Sequence, residues 1–151
     1  MLPPIPLARV PGLVSVPARI LVVDDESLIR WSICAALAAE GFDAVSAADT
    51  AAARRISDEW PPPRVVLFDS RAPDRDGLKA VSEMRRVHPD CRFVIMTTAR
   101  NCASHPFGHG VELIEKPFDL AQVVRLVREL ADRSSTAKPL PYKATQADDA
   151  A

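Results

Sequence analysis

The residues of this chain able to do chemistry lie far apart, yet each comes at the end of a short apolar run. Asp24 and Asp25 follow ARILVV (18–23), Asp69 follows RVVLF (64–68), and Thr98 follows RFVIMT (92–97). Lys116-Pro117 comes just after a shorter run at 111–114. Three carboxylates brought together repel one another and raise each other's pKa unless a cation sits among them. A hard divalent ion such as Mg2+ satisfies such a set, taking one or two carboxylates, a backbone carbonyl and several waters. A hydroxyl and an ammonium are not ligands for that ion, but they suit the oxygens of a phosphoryl group. A carboxylate held against the cation and flanked by those donors is a nucleophile for phosphoryl transfer, its product an acyl phosphate. Taken alone, Asp24-Asp25 would do no more than cap the next helix. Five positions at the ends of four runs carry the chemical reading.

For these residues to meet, the runs before them must be neighbouring strands. The chain alternates accordingly. After the first run, Asp24-Asp25-Glu26-Ser27 offers N-cap candidates for a helix through Ala39 that ends at Gly41, with Ile29, Ile33 and Leu37 as its buried stripe. A lesser strand at 42–47 precedes an Ala-rich helix from Thr50 to about Glu59, stopped by Pro61-Pro62-Pro63. The third strand, 64–68, leads through a loop to a helix with Leu78, Val81 and Met84 on one face. A fourth strand at 92–97, a short fifth at 111–114 and a closing helix from Leu120 to about Arg133 complete the order, with Leu120, Val123, Val127 and Leu130 in register. Trp31 and Trp60 read as packing residues. Strands buried on both faces that alternate with helices predict an α/β fold, a doubly wound five-stranded parallel sheet. In such sheets the chemistry lies beyond the carboxyl ends of the strands, where these residues are.

Composition sets the limits. With 151 residues, 48% of them hydrophobic, the chain has room for one ordinary domain. A net charge of -1 provides no global positive field for a nucleic acid or an anionic membrane, and no apolar run is long enough to cross a bilayer. Residues 1–18 hold five of the 14 prolines without a basic leader region, and read as a disordered extension rather than a secretion signal. Residues 134–151 read as a disordered tail, too short for an output domain, which leaves 19–133 as the domain. Three cysteines, Cys34, Cys91 and Cys102, at unrelated spacings read as reduced thiols of a cytoplasmic protein.

The motifs ILVVDDE (20–26), VVLFDSRAPDRDG (65–77), VIMTTA (94–99) and EKPFD (115–119), in this order, resemble the receiver domain of two-component response regulators. The resemblance covers 19–133 and implies the flavodoxin-like receiver fold. By it, Asp69 is the phosphoacceptor, and Asp24 and Asp25 are the acidic pair that, with Asp69 and the backbone carbonyl of Arg71, holds Mg2+. Thr98 is the switch hydroxyl and Lys116 the ion-pairing lysine, its bond to Pro117 expected to be cis. The implied phosphoryl donor is a sensor histidine kinase or a histidine phosphotransfer protein, and the implied output is contact with a downstream protein target, without DNA or membrane binding. Such a domain is a signalling element rather than an enzyme, although it assists its own Mg2+-dependent phosphorylation and dephosphorylation. The segment IRWS (29–32) is most similar to receivers of the nitrogen-regulatory, enhancer-binding branch.

Two departures from the family pattern stand out. Seventeen residues separate Thr98 from Lys116, about one helical turn fewer than usual, and they include Pro106, Gly108 and Gly110. The family's fourth helix, between the fourth and fifth strands, is therefore expected to be shortened or missing. Leu113 stands where receivers usually carry an aromatic ring that follows the threonine inward. It reads either as plain core on a short strand or as a sign that the 99–110 loop orders on activation instead. Arg71 and Arg100 either shield the acyl phosphate from water or point to solvent. Cys102, His105 and His109 match a zinc pattern only superficially and read as loop residues. The expected function is that of a single-domain response regulator. The alternatives are a pseudo-receiver interaction module that works without phosphorylation and, from a further class, a small Mg2+-dependent phosphohydrolase.

Overall fold

The computed structural model describes residues 17–59, 61–69, 77–98 and 111–135. Trp60, Arg71, Arg100, the 99–110 stretch with Cys102, His105 and His109, and the terminal residues 1–16 and 136–151 lie outside the described residues.

Strands β1 (Arg19–Val23), β3 (Val65–Asp69) and β4 (Arg92–Thr98) are buried along almost their whole length. Such strands need apolar side chains on both faces and helices over each. They form the middle of a five-stranded parallel sheet of order β2-β1-β3-β4-β5, with β2 (Asp43–Ala47) and β5 (Val111–Lys116) at its edges. Because successive side chains alternate, the strands contribute to two cores. Ile20, Val22, Leu67, Val94 and Met96 pack with α1 (Ser27–Ala39) and α4 (Leu120–Ser135) through Ile33, Leu37, Val123, Val127 and Leu130. Leu21, Val23, Val66, Phe68, Phe93 and Ile95 pack with α2 (Thr50–Ser57) and α3 (Gly77–Val87) through Ala53, Val81 and Met84. The doubly wound sheet expected from the alternation is thus the one found. Four helices are present among the described residues. The strand order reverses between β1 and β3, which opens a crevice at their carboxyl ends.

Local chemistry sets the boundaries. Gly41, at φ 90°, closes α1 in the left-handed region that glycine tolerates best. The Asp49 side chain accepts the Ala52 N–H at 2.8 Å and caps α2. Asp49→Ala is expected to cost about 1 kcal/mol in urea-induced unfolding. Strand β4 runs one residue, and β5 two residues, past their apolar runs, because the parallel ladder continues through Thr97–Glu115 and Thr98–Lys116 pairs whatever the side chains are.

Three expectations of burial fail. Trp31 is 69% exposed: the stripe of Ile29, Ile33 and Leu37 faces the sheet, and a residue two positions away on a helix points to the opposite side. Leu120 is 39% exposed at the first position of α4, ahead of the turn that meets the core. Leu113 is 42% exposed and belongs to neither core, since β5 is an edge strand with a neighbour on one side only.

Candidate functional site

The site follows from strand parity. Asp24 continues the face of Ile20 and Val22, Asp69 that of Val65 and Leu67, Thr98 that of Val94 and Met96, and Lys116 that of Ile114. Unbroken parallel strands therefore bring all four to the α1–α4 side of the carboxyl edge. The register pairs Val23 with Phe68, which sets Asp24 beside Asp69, and pairs Thr98 directly with Lys116. Thr97, one residue earlier, is buried on the other face, and its hydroxyl donates to the Thr98 carbonyl at 3.4 Å.

Carboxylate oxygens of Asp24, Asp25 and Asp69 lie within 4.8 Å of one another. Asp24 and Asp69 are fully buried and Asp25 is exposed. The Lys116 ammonium bridges the buried pair, 3.3 Å from Asp24 Oδ2 and 3.4 Å from Asp69 Oδ1. The Lys116-Pro117 bond is cis. Asp24 is held from several elements at once. Its N–H donates to Ala47 O at 3.2 Å, its Oδ1 accepts the Glu26 N–H at 2.9 Å, and its carbonyl accepts from the Arg30 guanidinium at 2.7 Å.

Burial is the main force raising the Asp24 carboxyl above the usual value; the Asp69 charge adds to it, while the Glu26 N–H and Lys116 act against it. The mutual repulsion expected from the sequence is therefore real but secondary to desolvation. An acid whose folded pKa is raised stabilises the fold most when protonated, below its unfolded pKa, and loses that contribution as pH rises through the folded value. Asp24→Asn, compared with wild type without metal, should be relatively more stable at pH 7 than at pH 4. Urea unfolding at the two pH values checks the sign.

Three carboxylates against one ammonium leave two negative charges in a pocket of hard oxygen donors. That donor set fits a hard divalent cation, with exposed Asp25 on the solvent side. Arg71, expected to add a backbone carbonyl, lies outside the described residues. Thr98 and Lys116 also line a cleft of about 540 Å3 with Leu28, Ile29, Pro117 and Phe118. Sequence reasoning missed Arg30 and the Glu26 N–H as partners of Asp24. The available signal was a basic residue at the N-terminal end of α1, where the helix dipole disfavours it.

A family model described as the response regulator receiver domain matches residues 20–128. The chain belongs to this family. The receiver domain is 30% identical over 133 residues to the regulatory protein AtoC of Escherichia coli (strain K12), an alignment covering 82% of this chain and 27% of AtoC. Its fold matches the crystal structure of NtrX from Brucella abortus with a TM-score of 0.70 and 30% identity, covering 79% of this chain and 28% of that one. A CheY-like receiver domain protein from Methanospirillum hungatei JF-1 matches at a TM-score of 0.69 and 24% identity, covering 79% of this chain and 97% of that one, and supports the fold alone. The chain spans about half or less of the length of the curated relatives it matches. As a receiver domain of two-component systems it is a signalling module. Among the described residues no helix is long and apolar enough to cross a membrane.

Proposed function

We propose that this receiver domain, with residues 19–133 as its unit, accepts a phosphoryl group onto Asp69 from the phosphohistidine of a sensor histidine kinase or a histidine phosphotransfer protein. The observation that carries this reading is the Lys116 ammonium set between two buried carboxylates inside a three-carboxylate cluster. An Asp69 oxygen attacks phosphorus, the N–P bond of the donor breaks, and an acyl phosphate forms. Mg2+, held by Asp24, Asp25, Asp69 and the Arg71 carbonyl, supplies charge neutralisation on the phosphoryl oxygens when bound. Lys116 leaves its carboxylate partners for those oxygens, and Thr98, its neighbour in the ladder, donates a hydroxyl hydrogen bond to them. The same pocket serves the loss of the phosphoryl group to water. Output passes by protein–protein contact to a downstream target, and we place the protein in the cytoplasm.

A second reading, a pseudo-receiver that works without phosphorylation, draws on Leu113, an exposed aliphatic residue where an aromatic switch is usual. Intact-mass spectrometry after incubation with a small acyl-phosphate donor separates the two. A single phosphoryl adduct that appears with Mg2+ and not with EDTA supports the phosphoacceptor, and no adduct under either condition favours the pseudo-receiver.

A further inference from the structure

Arg30 sits where two electrostatic effects oppose it. It lies near the N-terminus of α1, the positive end of the helix dipole, and one peptide from an acidic pocket suited to a cation. A charge there weakens the helix and repels a bound metal. Its position makes sense through the bond it forms, from the guanidinium to the main-chain carbonyl of Asp24 at 2.7 Å. The Asp24 side chain needs no help, since Glu26 N–H and Lys116 already hold its two oxygens. The carbonyl instead belongs to the Asp24–Asp25 peptide. That unit is planar, so anchoring its oxygen, with the Asp24 N–H fixed on Ala47 O, sets where the Asp25 N and Cα lie, the point from which its side chain starts.

We infer that Arg30 is a positioning residue for Asp25, the exposed member of the acidic cluster: it orients the Asp24–Asp25 peptide so that the Asp25 carboxylate meets the divalent cation. The inference rests on the reading of this cluster as a Mg2+ site. It makes a prediction of opposite sign to simple electrostatics. Removing a nearby positive charge should tighten Mg2+ binding, whereas removing a positioning bond should weaken it.

Calorimetric titration of the full chain with Mg2+ decides between them. Arg30→Met is expected to weaken binding about tenfold, the scale of one charge-assisted hydrogen bond. Arg30→Lys, which keeps a donor and the charge, should stay within about threefold of wild type. The Arg30→Met deficit should persist at high salt, where charge effects are screened. Binding by Arg30→Met that is equal to or tighter than wild type overturns the inference. A lower thermal midpoint with unchanged Mg2+ affinity also overturns it, because Arg30 would then support only the fold. Failure of the wild-type chain to bind Mg2+ removes the metal reading, and the inference with it.

Discussion

Asp69→Asn is expected to abolish phosphoryl incorporation from a small acyl-phosphate donor in the presence of Mg2+, with no adduct in the intact mass where wild type gains one. The amide has nearly the shape of the carboxylate but lacks the negative charge that makes its oxygen a nucleophile. Asp69 is the last residue of β3, held in the ladder opposite Met96, so the substituted side chain stays in place and the loss is chemical rather than structural. The variant also relieves repulsion inside the cluster, leaving Lys116 paired with Asp24. It should therefore unfold at a urea concentration no lower than wild type when metal is absent. An adduct of wild-type yield on the asparagine variant would mean that another residue is the acceptor.

Lys116→Met should have the largest effect on stability. Its side chain is 13% exposed, and its ammonium contacts two carboxylates with almost no access to water. Removing one partner of a buried ionic cluster leaves charge uncompensated, at a cost of about 3 kcal/mol or more. Urea unfolding at pH 7 without metal is expected to show that loss. Three conditions should shrink it: Mg2+, which offers the carboxylates another cation; Lys116→Arg, which keeps the charge; and a pH low enough to protonate Asp24, whose carboxyl is already raised by burial. A loss that Mg2+ and acid leave unchanged would point to lost packing of the lysine stem instead.

The parts of this site legible in the sequence are those governed by strand periodicity. Asp24, Asp69, Thr98 and Lys116 each continue an apolar run, and period 2 places them on one face of the sheet. What the sequence did not disclose depends on three-dimensional neighbours. Arg30 reaches back across the first turn of α1 to a carbonyl, a contact that residue type alone does not announce. The dominance of burial over repulsion at Asp24 needs the helices in place above the strand end. Trp31 and Leu113 misled for a common reason. A large apolar side chain looks like core until the face it occupies is known, and these two lie on an outward helix face and an edge strand.

The central claim, that Asp69 carries the phosphoryl group, is tested most directly by mapping the modification. The full chain is phosphorylated with an acyl-phosphate donor and Mg2+, digested under acid conditions and sequenced by tandem mass spectrometry. The predicted result is one modified peptide, with the added mass on Asp69. A phosphoryl group on any other residue, or retained when Asp69 is asparagine, would contradict the assignment.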